Sequence, residues 1–326
     1  MEKAVRRYWP IFVLPTLAAF IIGFIVPFFQ GFYLSFCEFT TIKKATWVGL
    51  SNYIRAFTND PEPLTDSLLF TVAFAVVSII LINVIGFTFA LLLTRGLKGT
   101  NIFRTIFFMP NLIGGVVLGY IWQILINCVL SLVDEPLLAL NSTAGYWGLI
   151  ILMCWQQVGY MMIIYIAGLQ SVPESLIEAA KIDGATSAQT LFKVRLPMVM
   201  PSITICTFLT LTNSFKLFDQ NLALTNGDPN DTTALLALNI YKTFYERTGP
   251  QWKGLGQAKA IIFCVLVVAL SVEIALSTFN ELIKTITIGY RNESAKITSI
   301  TVIMTSATFF LLLLFITAAP PLFLWL

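Results

Sequence analysis

The chain has 326 residues, of which 57% are hydrophobic and only 11% are charged, and its mean hydropathy is +0.82. This composition excludes an ordinary soluble domain and indicates a membrane protein with several spanning segments. The net charge of +3 is small and spread over several loops, which argues against a nucleic-acid partner. With no histidine and five scattered cysteines, a Cys/His metal cage is also excluded.

Seven apolar runs follow one another along the chain, each longer than the ~20 residues that cross a hydrocarbon core. They cover residues 11–36, 68–94, 105–127, 146–170, 198–221, 257–279 and 299–326. The first run is too long for the apolar part of a signal peptide, so we interpret it as a membrane helix. The pattern predicts an all-α, polytopic transmembrane bundle with six core spans and a further apolar segment at the C-terminus.

The loops between the runs predict an orientation. With residues 1–10 as a cytoplasmic N-terminus, the inside segments 1–10, 95–104, 172–197 and 280–298 carry three Lys or Arg each. The outer segments 37–67 and 128–145 carry three and none, and the long segment 216–259 carries five. The shorter inside segments therefore have the higher density of basic residues, as cytoplasmic loops do. This orientation places residues 172–197 in the cytoplasm.

A short polar stretch, "EAAKIDGA" (178–185), interrupts the apolar pattern. Pro173 and two acidic residues favour a helix start. Gly184 offers either a helix stop or a point of close approach, before a second helical stretch that leads to Pro197. Two interpretations fit this spacing. The stretch is either an amphipathic linker between two spans or a small knob on which another protein docks.

Glu178-Ala179-Ala180 and Asp183-Gly184-Ala185, followed by Phe192, Leu196-Pro197 and Pro201, resemble the EAA loop of the membrane-spanning subunits of bacterial ABC importers. Four further stretches are similar to the maltose-type, binding-protein-dependent sugar permeases. They are "WVGLSNYIRAF" (47–57), "FRTIFFMPNLIGGVVLGYIWQILIN" (103–127), "LQSVPESLIEAAKIDGA" (169–185) and "FDQNLALTNGDPNDTT" (218–233).

The resemblance implies a domain organisation. The transmembrane domain of the importer would occupy residues 11–279 and contain the EAA coupling loop at 172–197. Residues 280–326 would form an atypical C-terminal extension. Its apolar part is open to three interpretations: a seventh span, an interfacial segment, or the product of an altered reading frame.

In that family the EAA loop docks into a cleft of a cytoplasmic ATPase subunit. The resemblance therefore implies that this chain is a transport subunit, not an enzyme, and binds no cofactor. ATP and Mg would be used by two partner ATPase subunits. The implied docking surface consists of Glu178, Ala179, Ala180, Asp183, Gly184 and Ala185. The chain contains no G-x-x-x-x-G-K-[ST] loop with which to hold ATP phosphates, which agrees with this division of labour.

The resemblance also implies the other partners. They are a second, similar but distinct permease subunit that forms a heterodimer with this chain, an extracytoplasmic solute-binding protein, a sugar or oligosaccharide substrate, and the lipid of the bacterial plasma (inner) membrane. Two outer segments, 38–67 and 222–254, are long enough to contact the binding protein, and their alternative interpretation is plain connection.

Polar residues inside the apolar runs are candidates for the substrate path, because amides and carboxylates bind sugar hydroxyls and aromatic rings pack on sugar C–H faces. The principal candidates are Gln123, Asn127, Trp155, Gln156, Tyr160, Asn213, Phe215 and Asp219, and the others are Asn83, Trp122, Gln157, Lys216, Phe218 and Gln220. In the alternative interpretation these residues bond helix to helix or anchor the chain at the interface, and Lys216 pairs with Asp219.

A different class of function also remains open, namely a secondary transporter or channel driven by an ion gradient. It predicts carboxylates in several spans and paired inverted repeats. The sequence has few of the former and no convincing repeat.

Overall fold

The computed structural model describes residues 13–58, 63–96 and 98–289, and beyond Leu270 only the backbone is described, except at Val272. The predicted cytoplasmic N-terminus (1–10) and the apolar segment 299–326 lie outside the described residues. Two sequence hypotheses, the side of the N-terminus and a seventh span, therefore stay predictions.

The described chain is largely helical, as the sequence predicts. The helices, numbered here in chain order, are α1 (Val13–Leu34), α2 (Ser51–Thr58), α3 (Leu64–Leu93), α4 (Thr100–Phe108), α5 (Gly115–Leu132), α6 (Ser142–Gln170), α7 (Glu174–Ile182), α8 (Ser187–Phe215), α9 (Asp219–Leu224), α10 (Leu236–Tyr241) and α11 (Pro250–Gly289). Two short strands, β1 (Cys37–Phe39) and β2 (Ala45–Trp47), pair antiparallel in a hairpin.

Within the described residues, six helices are long and apolar enough to cross a membrane. They are α1, α3, α5, α6, α8 and the part Pro250–Leu270 of α11. Their number confirms the six predicted core spans. Each is helical, with π-helical turns at Ile21–Ile25 in α1 and Leu191–Arg195 in α8, because a backbone in lipid has no water and must satisfy its own N–H and C=O groups.

The third predicted apolar run, 105–127, is not one helix. The chain leaves α4 at Phe108, makes a 3₁₀ turn at Met109–Leu112, and is extended at Ile113 and Gly114 before α5 begins. Pro110 has no N–H to donate to a continuing helix, and Gly114 loses more entropy in a helix than other residues do. The third span therefore begins later than predicted, at Gly115.

The described chain divides into two compact units. The first comprises the residues up to Thr65 together with Asn239–Leu270, and the second comprises Asp66–Leu238 and the part of α11 from Ser271. In the first unit, the β-hairpin and α2 follow directly on α1. Asn52 of α2 is buried and donates hydrogen bonds to the carbonyls of Ser35 and Cys37, both at 3.0 Å.

The second unit is built around α6, the helix with the most buried side chains in that unit. Its core contains Phe74 and Ile82 of α3, Met153 and Met161 of α6, and Cys206 of α8. On another side of α6, Gly159 lies so close to α4 that a Cβ atom would overlap the carbonyl oxygen of Phe107. This unit contains the stretch resembling the EAA loop and all the principal path candidates.

Candidate functional site

The predicted coupling loop contains helix α7 and a sharp turn after it. Pro173 caps the start of α7 with an extended ψ of 129°, and Glu174 in the first turn interacts favourably with the helix dipole. At the other end of α7, the Gly184 N–H donates a hydrogen bond to the Lys181 carbonyl at 3.1 Å, and the Ala185 N–H donates one to the Ala180 carbonyl at 2.9 Å. This pair of bonds is a Schellman cap, and it confirms the predicted helix stop.

Gly184 carries the left-handed conformation that this cap requires, with φ of 77°. A residue with a Cβ atom adopts that conformation only at a cost, whereas glycine adopts it freely. The chain then enters α8 through a capping box, in which Gln189 N–H donates to Thr186 Oγ1 and Thr186 N–H donates to Gln189 Oε1. Capped at both sides, the turn between α7 and α8 has a defined shape.

The six predicted docking residues all lie at or near the surface of this turn. Glu178, Ala179, Asp183 and Gly184 are exposed, and Ala180 and Ala185 are partly exposed. Ile177 of the same helix is partly buried and packs against the core of the second unit. The helix is therefore fixed to the protein by one face and presents small and acidic residues on the other.

One exposed residue of this surface was missed by sequence reasoning. Ile182 is 86% exposed, more than any other large hydrophobic residue in the described part of the chain. An isoleucine between Lys181 and Asp183 in a polar loop is the signal that would have found it. Ile182 therefore adds one apolar side chain to the small and acidic residues exposed on this turn.

Four of the polar path candidates lie where α6, α8 and α9 meet: Gln156, Gln157, Asn213 and Gln220. Gln156 is buried, donates to the carbonyl of Ile113 at 3.3 Å and accepts from Gln220 at 2.8 Å. Asn213 donates to the side-chain oxygen of Gln157 at 3.3 Å. Two neighbouring glutamines of α6 therefore bind two different elements, α9 and α8.

Lys216 and Asp219 lie beyond the end of α8 without forming an ion pair, although the sequence places them three residues apart. Asp219 is exposed and Lys216 is half-buried. Partial burial lowers the pKa of Lys216 below its ordinary value. The structure therefore does not support the interpretation that these two charges satisfy one another.

The other principal candidates have individual surroundings. Gln123 donates to the carbonyl of Leu224 at 3.0 Å, and Asn127 accepts from the Leu138 N–H at 3.0 Å. Phe215 is buried. Trp155 is exposed and meets Trp122 edge to face, and half-buried Tyr160 lies beside Phe108. Gln123 and Asn127 therefore contribute to packing between elements, whereas Trp155 offers an open ring.

Sequence reasoning also missed Asn221, which organises the loop that follows α9. Its side chain is fully buried, donates to Thr233 O and to Thr225 Oγ1, each at 2.9 Å, and accepts from the Leu235 N–H at 2.9 Å. Asn221 lies in the stretch "FDQNLALTNGDPNDTT" (218–233), where sequence reasoning selected only Phe218, Asp219 and Gln220 as path candidates. One amide thus closes the loop between α9 and α10.

Replacing Asn221 by alanine is expected to destabilise the protein by about 2–4 kcal/mol, because buried groups left without a partner cost ~1–3 kcal/mol each. The measurement is thermal unfolding of the purified chain in detergent. Asn101→Ala, at an exposed asparagine of α4, is the matched control and should leave the midpoint nearly unchanged. Equal midpoints for the two variants would contradict the role given to Asn221.

The family model for binding-protein-dependent transport system inner membrane components matches residues 83–319. The chain belongs to this family. It is 42% identical over 273 residues to the probable starch degradation products transport system permease protein AmyD of Thermoanaerobacterium thermosulfurigenes, covering 81% of this chain and 91% of that one. It is also 31% identical over 284 residues to the multiple sugar-binding transport system permease protein MsmF of Streptococcus mutans serotype c, covering 83% and 96%.

A solved structure supports the fold of this permease. The structure is that of a bacterial ABC transporter involved in the import of the acidic polysaccharide alginate, and it matches with a TM-score of 0.70 at 19% identity. The match covers 86% of this chain and 98% of that one. The chain is thus a multi-pass permease subunit with the fold of an ABC importer, and nothing supports the alternative driven by an ion gradient.

Proposed function

We propose that this permease forms, with a second spanning subunit, the path for a sugar or oligosaccharide, and that two ATPase subunits drive it through the turn between α7 and α8. The observation that carries the proposal is this turn: capped at both sides, fixed by Ile177 and exposed at Glu178, Ile182 and Gly184. A rigid, exposed knob transmits movement of a bound partner to the spans on either side of it, whereas a flexible linker does not.

The chemistry of the turn fits docking into a cleft. Small residues at Ala179 and Gly184 let the walls of a cleft approach the backbone, and Ile182 supplies an apolar anchor of the kind found at the centre of interfaces. Glu178 is suited to an ion pair with a basic residue of the ATPase. ATP and Mg would then bind to the ATPase subunits and not to this chain.

The substrate proposal rests on the polar groups between α6 and α8 and on the relatives. Lys216 and Asp219 are charged groups that form no ion pair with each other, and Trp155 provides an exposed ring for a sugar face. The amides of Gln157 and Asn213 can each form more hydrogen bonds than the one they share. Relatives named for starch degradation products and for multiple sugars favour a carbohydrate over other solutes.

The partners and orientation follow the same reasoning. A second neighbouring structure contains an alginate transporter in complex with a periplasmic protein bound to an alginate pentasaccharide. We propose a binding protein of this general kind for this permease. The cytoplasmic side would carry the N-terminus and the turn between α7 and α8, because basic residues are densest in those segments.

Uptake into vesicles that contain this permease and its partner subunits tests the proposal. ATP inside the vesicles is expected to drive entry of a labelled malto-oligosaccharide only when a binding protein is present outside. A proton or sodium gradient without ATP should drive none. Uptake that follows the ion gradient and ignores ATP would contradict the proposal, and uptake of solutes other than carbohydrates would overturn its substrate part alone.

A further inference from the structure

The β-hairpin and α2, which follow the first span, expose large apolar side chains on one face. Leu50, directly before α2, lies one turn from Ile54, whose N–H donates to the Leu50 carbonyl at 3.1 Å. Phe57 follows Ile54 after three residues, which places the three side chains in one stripe. All three are exposed, as are Ile42 in the hairpin and Trp47 in β2. These five residues, Ile42, Trp47, Leu50, Ile54 and Phe57, are called here the outer stripe.

The opposite face of α2 is occupied by the protein itself. Asn52 and Ala56 are fully buried there, and the hydroxyl of Tyr53 hydrogen-bonds Ser35 Oγ at 2.7 Å. Arg55 forms an ion pair with Glu38 of β1 at 3.1 Å. Polar contacts therefore hold α2 against the end of α1, so the exposure of the outer stripe is a fixed property of the fold.

The outer stripe continues the membrane surface of α1. Trp47 stacks on Phe36 with ring centroids 5.3 Å apart and lies 5.8 Å from the ring of Tyr33, an exposed residue in the last turn of α1. None of the most apolar window of α1 is buried inside the protein. Phe29 and Phe32 are exposed on the same helix. An apolar surface thus runs without interruption from a membrane span onto the hairpin and α2.

A groove of about 390 Å³ lies at this junction. Ile42 of the hairpin forms one wall, and the other wall is formed by residues of α1, which are mostly apolar: Ile25, Val26, Phe29, Gln30, Tyr33 and Leu34. Beside Ile42, Lys43 and Lys44 are exposed at the tip of the hairpin. An apolar groove next to two cations suits a lipid with an acyl chain and an anionic headgroup.

We propose that the hairpin and α2 form an interfacial anchor. The outer stripe is inserted among the lipids of the leaflet where α1 ends, and Lys43 and Lys44 contact anionic phospholipid headgroups. Trp47 and Tyr33 are the aromatic types that favour this depth of a membrane. The anchor fixes the end of α1 against vertical movement, and it involves neither the turn between α7 and α8 nor the substrate path.

Spin labels on the full chain in vesicles test the insertion. Exposed Cys128 is first replaced by serine, and a label is placed on Ile54→Cys or, as the control, on Thr46→Cys, an exposed polar position on the face of β2 opposite Trp47. The ratio of collision with oxygen, which concentrates in lipid, to collision with a water-soluble neutral nickel complex should be several-fold higher at position 54. Leu50→Cys gives a second position on the stripe and should behave like position 54.

Equal ratios at positions 46 and 54 would overturn the proposal. Protection of position 54 from both reagents when the partner subunits are present would also overturn it, because the stripe would then be covered by protein. Adding phosphatidylglycerol to phosphatidylcholine vesicles should further lower nickel access at position 54. The double variant Lys43→Gln, Lys44→Gln should remove that decrease, and an unchanged decrease would refute the headgroup contacts.

Discussion

Replacing Gly184 by leucine is expected to lower sugar uptake about tenfold or more while the chain still inserts into the membrane. Gly184 has φ of 77°, and an L-residue there costs roughly 1–2 kcal/mol. The Schellman cap opens, and the new side chain occupies the face that a partner would approach. Because coupling requires both the shape and the access of this turn, ATP hydrolysis should continue without transport.

The charge of the same surface gives a second variant of this experiment. Glu178→Lys should reduce uptake to a similar extent by placing a positive charge against the proposed basic partner, since like charges at an interface cost several kcal/mol. Uptake and ATP hydrolysis are measured together in vesicles that contain all subunits. Their ratio reports coupling, and the amount of assembled permease reports folding.

Two controls separate coupling from general damage. Gly99 also has a left-handed backbone, with φ of 83°, and no atom lies near the place of its Cβ, so Gly99→Leu carries similar strain outside the turn. Glu135→Lys reverses a charge in an exposed loop before α6. Both controls should keep the ratio of uptake to hydrolysis. Normal uptake in Gly184→Leu and Glu178→Lys would refute the docking role.

The second large effect is expected at Gly159, where α6 and α4 touch through their backbones. A methyl group in Gly159→Ala would overlap the carbonyl oxygen of Phe107, and a backbone atom cannot rotate away as a side chain does. We expect a loss of about 3 kcal/mol or more in the free energy of unfolding, at or above the upper end of measured overpacking costs. Thermal unfolding in detergent is the measurement.

Gly86→Ala is the matched control. Gly86 lies in α3 against the same helix α6, but its Cβ would meet the nearest atoms at an ordinary 3.5 Å. Alanine also favours a helix over glycine by about 1 kcal/mol, so this variant should be neutral or slightly stabilising. If Gly159→Ala unfolds at the same temperature as Gly86→Ala, the result would contradict the close backbone contact between Gly159 of α6 and Phe107 of α4.

The sequence alone determined that this is a membrane protein, that it has six core spans, and that residues 172–197 contain a helix with a defined start and end. Each of these depends on neighbours in the chain: apolar runs of spanning length, a proline before α7, a glutamate in its first turn, and a glycine after it. The resemblance to the importer family depended on the same local order, and the family model confirmed it. These features can be read from the sequence because a membrane span and a helix cap each depend on residues that are close together in the chain.

Only the tertiary structure decided which groups meet. Gln156 binds Gln220 across 64 positions of the chain, and Gln123 binds the backbone of Leu224 across 101. The same amide types looked equivalent in sequence, since nothing local distinguishes a glutamine that joins two helices from one that faces a path. The exposure of Ile182 and the burial of Asn221 were hidden for the same reason. Burial is set by whichever element packs alongside, and that element lies elsewhere in the chain.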